Sequence, residues 1–110
     1  MHRSEFIREL KQNFPEIRDE INRQMGQLHM EMSIFHNFIQ NRINHNDTDS
    51  LIRAFSLAEK GYKNGNGKLR TAIDVSVVEG LDFKNNKSIW DMMPSILQGL
   101  YIKFHGKNGA

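Results

Sequence analysis

Four side chains of this sequence could do chemistry together: His29, Glu31, His36 and Glu79. Histidine and carboxylate are common ligands of zinc, iron and manganese, and they serve as general acids and bases near neutral pH. His29 and His36 are two helical turns apart, roughly 10.5 Å of rise. Ligands to one ion usually stand a single turn apart, as in His-x-x-x-His or Glu-x-x-His. The spacing therefore predicts polar histidines that border a buried face and bond to neighbouring helices. Glu79 interrupts the apolar run Val77-Val78-Glu79-Gly80-Leu81. As a catalytic acid or base it lacks a second carboxylate at suitable spacing, because Asp74 falls on a different face. The expectation is no catalytic residue, no metal and no cofactor. A small metal-dependent or acid/base enzyme built on these four residues is the alternative.

A protein partner is the leading expectation, and Trp90, Asp91 and Met92 on a turn ahead of the last helix are its first candidate contacts. The histidine-bearing face around His29 and His36 is the second. Trp and Met are side chains that interfaces favour. Met25, Met30, Met32, Met92 and Met93 could form an adaptable binding groove, but most fall on apolar stripes and read as core. A homodimer through the polar first half of the second helix is a further expectation. A DNA-reading helix–turn–helix would need polar groups early in residues 66–81. Only Lys68, Arg70 and Thr71 are available there, so no nucleic acid is expected.

These residues must be positioned by helices. Ser4 is the expected cap of a first helix bearing Ile7, Leu10 and Phe14, and Pro15 ends it or starts the next. Ile17, Ile21, Met25, Leu28, Met32, Phe35 and Ile39 then recur at steps of three and four, one helical face from Glu16 to about Ile43. Gly26 marks a candidate kink. Asp47 or Thr48 caps a third helix bearing Leu51, Phe55, Ala58 and Tyr62. The break Asn64-Gly65-Asn66-Gly67 follows, with Gly65 expected in the left-handed C-terminal position and Asn66 as the next cap. The fourth helix runs to about Leu81, although its β-branched residues Ile73, Val75, Val77 and Val78 also suit a strand. Phe83 is expected to tuck inward from a loop, and Ser88 with Asp91 resembles a capping box. A last helix from Pro94 to His105 buries Leu97, Leu100, Tyr101 and Phe104. The short central break forces an antiparallel pair. The expected fold is all-α, about five helices in paired antiparallel, HEAT-like hairpin packing. A single domain is expected over residues 1–110, with 1–3 and 106–110 frayed.

Composition sets the outer bounds. With no cysteine in 110 residues, disulfides and thiolate chemistry are excluded. A net charge of +2 and a hydrophobic fraction of 38% describe an ordinary globular chain without a polybasic tract. No apolar run is long enough for a membrane span, and Met-His-Arg-Ser-Glu lacks the apolar core of a secretory signal. A cytoplasmic location without membrane contact is the expectation.

Leu28-His29-Met30-Glu31-Met32 with Phe35 forms a recognisable set with two further stretches. One is Phe55-x-Leu57-Ala58-Glu59 leading to Ala72-Ile73-Asp74-Val75-Ser76. The other is Trp90, Pro94, Leu97 and Leu100-Tyr101. The pattern resembles a family of small, uncharacterised bacterial helical proteins. The central hairpin is also similar to that of helical immunity proteins encoded beside bacterial toxins. The resemblance implies a non-enzymatic protein-binding role of the immunity or regulatory kind, and transfers no catalytic residue.

Overall fold

Local breaks turn the expected five helices into seven. The computed structural model describes residues 1–110. Its α-helices are α1 (Arg3–Asn13), α2 (Arg18–Asn22), α3 (Leu28–Asn44), α4 (Thr48–Asn64), α5 (Gly67–Ala72), α6 (Lys87–Met92) and α7 (Ser95–His105). A 3-10 turn, Pro15–Ile17, leads into α2, and α5 runs on as a π-helical segment, Ile73–Val78. There are no strands.

The first break lies at Pro15, which lacks an N–H and takes the first position of the 3-10 turn. Asn13 closes α1, its side-chain amide donating to the Glu9 carbonyl at 2.8 Å. The second break divides the long periodic stretch at Met25 (φ 51) and Gly26 (φ 85). Glycine takes that conformation freely, whereas a left-handed Met costs about 1–2 kcal/mol. The polar first half of the expected helix is therefore the separate five-residue α2.

The caps follow side-chain chemistry. Asp47 starts α4 by accepting from the Ser50 N–H at 3.2 Å and its hydroxyl at 2.9 Å. These bonds hold its carboxyl below the usual range. Asn66 accepts from Leu69 N–H at 3.0 Å at the head of α5. Asn86, not Ser88, caps α6 by accepting from Ile89 N–H at 3.2 Å, and Asp91 pairs with Lys87 at 2.7 Å. His2 rather than Ser4 precedes α1. Gly65 is extended (φ −75), not left-handed. It is needed because a Cβ there would strike the Gly61 carbonyl oxygen.

The β-branched run is helical, but wound as a π turn. Glu79 N–H donates to the Asp74 carbonyl at 3.1 Å, the i to i+5 bond that defines it. A wider turn eases the crowding that Ile73, Val75, Val77 and Val78 bring to an α-helix. This segment packs against α3, α4 and α7 and forms the centre of the molecule.

Aromatic clusters fill two parts of the core. Phe14 stacks near Phe38 at 4.7 Å and meets Phe35 at 6.2 Å, while Phe35 also meets Phe6 at 6.2 Å. At the other, Phe83, Trp90 and Tyr101 form a ring with centroid separations of 5.2 to 5.5 Å. Burial beside Asp82 pushes the Tyr101 hydroxyl above its ordinary pKa, with burial the larger cause. Met32 and Met93 fill core space, whereas Met25 and Met30 are exposed.

Both chain ends make contacts with the body of the domain. The Met1 amino nitrogen donates to the Asn64 carbonyl at 2.6 Å, and Asn66 N–H donates to the Met1 carbonyl at 3.0 Å. Gly109 lies so close to the second aromatic cluster that a Cβ would stand 2.6 Å from Phe83 Cδ2.

Gly61, buried inside α4, gives the fold a sharp test. A Cβ there would lie 2.5 Å from Phe6 Cε2 and 2.8 Å from Ile73 Cδ1. Both neighbours are fully buried core residues with little room to move. Alanine ordinarily strengthens a helix interior by roughly 1 kcal/mol over glycine. Here overpacking reverses the sign, and Gly61→Ala is expected to lose about 1–2 kcal/mol in urea unfolding. A stabilised variant would contradict this packing.

Candidate interaction surface

The four chemistry-bearing residues do not converge. Glu31 is 1% exposed and engaged by the Arg3 guanidinium, with Nε on Oε1 at 2.8 Å and Nη2 on Oε2 at 2.5 Å. That fork joins α1 to α3, and the hydrogen bond that Arg3 donates to Glu31 raises the Arg3 pKa above its ordinary value. His29 Nδ1 meets the Ser76 hydroxyl at 2.8 Å, and His36 Nδ1 bonds the Val77 carbonyl at 2.8 Å. Both histidines thus fasten α3 to the π segment. Glu79 is half-buried, and its carbonyl accepts from His105 Nε2 at 2.6 Å. No three His, Asp or Glu side chains are placed to hold a metal ion.

Of the expected partner contacts at the pre-helix turn, Trp90 is buried and Asp91 and Met92 are not. Trp90 is 5% exposed, in the inward ring with Phe83 and Tyr101, and its carbonyl accepts from Gln98 at 2.9 Å. The turn is in fact α6, a helix whose Ile89, Trp90 and Met93 face inward. Asp91 is exposed but tied to Lys87, and Met92 is half-buried against the core. The candidate recognition helix is likewise core: Leu69, Ala72, Ile73, Val77 and Val78 are buried, and Arg70 lies over the Tyr62 ring at 4.9 Å.

Besides Met25, the sequence assigned Phe104 to the core and the structure leaves it outside. It continues the α7 stripe of Leu97, Leu100 and Tyr101, all buried, yet it is 59% exposed. The core ends one turn before the helix does. Lys103 reaches from α7 to Asp74 at 3.4 Å. Ile102 and Phe104 flank that lysine, Val75 follows that aspartate, and all three are exposed apolar side chains. The other Asp74 oxygen, Oδ1, is buried with no hydrogen-bond partner. Chemically this end of α7 offers apolar surface interleaved with Lys103, His105 and Lys107, and no Asp or Glu side chain follows Asp91 in the sequence.

Two of the five surface clefts bear on binding. One of about 670 Å³ opens between the starts of α3 and α5, lined by Leu28, His29, Gly67, Lys68 and Thr71. The other, about 320 Å³, follows α1 and is walled by the cations of Arg3, Arg8, Lys11 and Arg18. It was not legible as a site, because those residues read as the ordinary solvated face of an amphipathic helix.

Fold and surface together define a small all-α domain with no assembled metal centre and with apolar and cationic groups displayed around a closed core. The sequence profile of the family described as Domain of unknown function (DUF7674) matches residues 7–106, and the chain belongs to that family. No curated protein and no solved structure matches it. No helix is long and apolar enough to cross a membrane.

Proposed function

We propose that this protein is a non-enzymatic protein-binding module that uses the C-terminal turn of α7. The setting we propose is the bacterial cytoplasm, and the role is immunity-type or regulatory, after the proteins its hairpin resembles. The observation that carries the reading is the exposure of Phe104 at the end of an otherwise buried stripe. Isolated apolar side chains on a surface need no explanation. Phe104 and Ile102 neighbour Lys103 in sequence and Val75 follows Asp74, so exposed apolar side chains adjoin an ion pair that ties α7 to the π segment, as surface a partner can cover.

Charge argues for the nature of that partner. Lys103 on this face is paired with Asp74, which leaves Lys107, in no ion pair, to set like charge against like charge in a symmetric second copy. A different protein with an acidic, apolar surface fits it.

The test compares tagged wild type with Phe104→Asp in capture from the source cell. Phe104 is largely outside the core, so the variant is expected to melt like wild type. Recovery of the wild-type partner is expected to fall by about tenfold or more, as for a central interface aromatic. Equal recovery by both proteins removes α7 from the account.

A further inference from the structure

We propose that the cleft along α1 binds an acidic peptide segment of a partner protein, a run of Asp and Glu side chains. The inference rests on reading the protein as a protein-binding module, and it assigns a contact separate from α7.

Four cations and no carboxylate line the cleft. Glu31 balances Arg3 from beneath. Arg8, Lys11 and Arg18 enter no ion pair, and Lys11 donates only to the neutral Asn22 side chain at 2.8 Å. Three uncompensated positive charges therefore share one concave surface. Their fields add over this surface and raise the local concentration of anions.

The lining also says which anion. The α1 face from Arg3 to Lys11 is about 12 Å long, and roughly four residues of extended peptide cover that length. No aromatic ring lines it, so a nucleobase finds no stacking platform. Its one apolar residue, Ile7, is buried, which leaves nothing for an acyl chain. In the lining, free backbone N–H groups occur only at Arg3 and Ser4, the head of α1, and from Ile7 to Gln12 they are committed within the helix, so along its length the cleft offers side-chain donors and no backbone cradle. What remains is a row of guanidinium and ammonium groups, with Ser4 and Gln12 as added donors. Guanidinium forks match carboxylates, and side chains spaced along an extended segment can meet them in series.

The experiment is fluorescence anisotropy of a labelled oligo-glutamate peptide titrated with the full chain. Wild type is expected to bind saturably and to weaken steeply as salt rises. Arg8→Glu with Arg18→Glu changes two exposed residues and should bind about tenfold more weakly or worse. If that double variant melts early, Arg8→Gln with Arg18→Gln provides the same comparison. Absence of peptide binding, or equal affinity in wild type and variant, overturns the proposal. So does tighter binding of inorganic polyphosphate or of a single-stranded oligonucleotide of equal charge. Phe104→Asp should bind the peptide as wild type does. If the peptide fails while Phe104→Asp still loses the captured partner, only this inference falls and the protein-binding reading stands.

Discussion

Trp90→Ala is expected to cost about 3–5 kcal/mol of folding stability, a large part of what a domain of this size possesses. Trp90 is the only tryptophan, and its ring lies 5.2 Å from both Phe83 and Tyr101. The same cluster takes in Gly109, whose Cβ position would lie 2.9 Å from Trp90 Cε3. Truncation removes the shared member of these contacts and leaves a cavity that α6, short and capped at Asn86, can close only partly. Chemical unfolding followed by far-ultraviolet circular dichroism measures the loss directly. The native emission of Trp90 should be blue-shifted and move red in the same transition. A Trp90→Ala protein as stable as wild type would place the indole outside the core.

The second large effect is at the α1–α3 fork. Arg3→Ala leaves the Glu31 carboxylate inside the protein without its bidentate partner. Breaking a buried pair from one side ordinarily costs 3–5 kcal/mol; the expected loss here is about 2–3 kcal/mol, because water reaches Arg3 more readily. The Arg3 side chain is 38% exposed against 2% for Glu31. The double variant Arg3→Met with Glu31→Met should recover more than half of the loss, since apolar side chains of similar reach need no partner. The comparison separates the penalty of an orphaned carboxylate from the net worth of the pair. A single variant within about 0.5 kcal/mol of wild type would show the fork to be a surface contact.

How much of this was legible varies with the range of the interaction responsible. Helix caps are local, so Asp47 and Asn66 could be assigned from neighbours within three residues, and Phe83 could be turned inward. The divided second helix was half legible: Gly26 signalled a weak point, but the left-handed Met25 is imposed by the turn between α2 and α3. Glu31 carried a signal that was read for the wrong chemistry. It shares the inward arc with Leu28, Met32, Phe35 and Phe38, and a carboxylate there demands a cation to pair with. The cation came from Arg3, far off in sequence, which no periodicity could supply.

Trp90 was misplaced because Pro94 made its segment look like an exposed turn. The Ile89, Trp90 and Met93 spacing already describes the inward face of a short helix. Phe104 failed for the opposite reason. Its stripe position is correct, but where the core stops depends on the length of the π segment beneath α7. The candidate surface lies at that mismatch, where helical period and tertiary support part company.

Amide hydrogen exchange on the protein with its captured partner bound tests the central claim most directly. Amides of the last turn of α7, Ile102 to His105, together with those around Val75, are expected to gain protection in the complex. Protection confined to other elements, with the end of α7 exchanging as in the free protein, would contradict it.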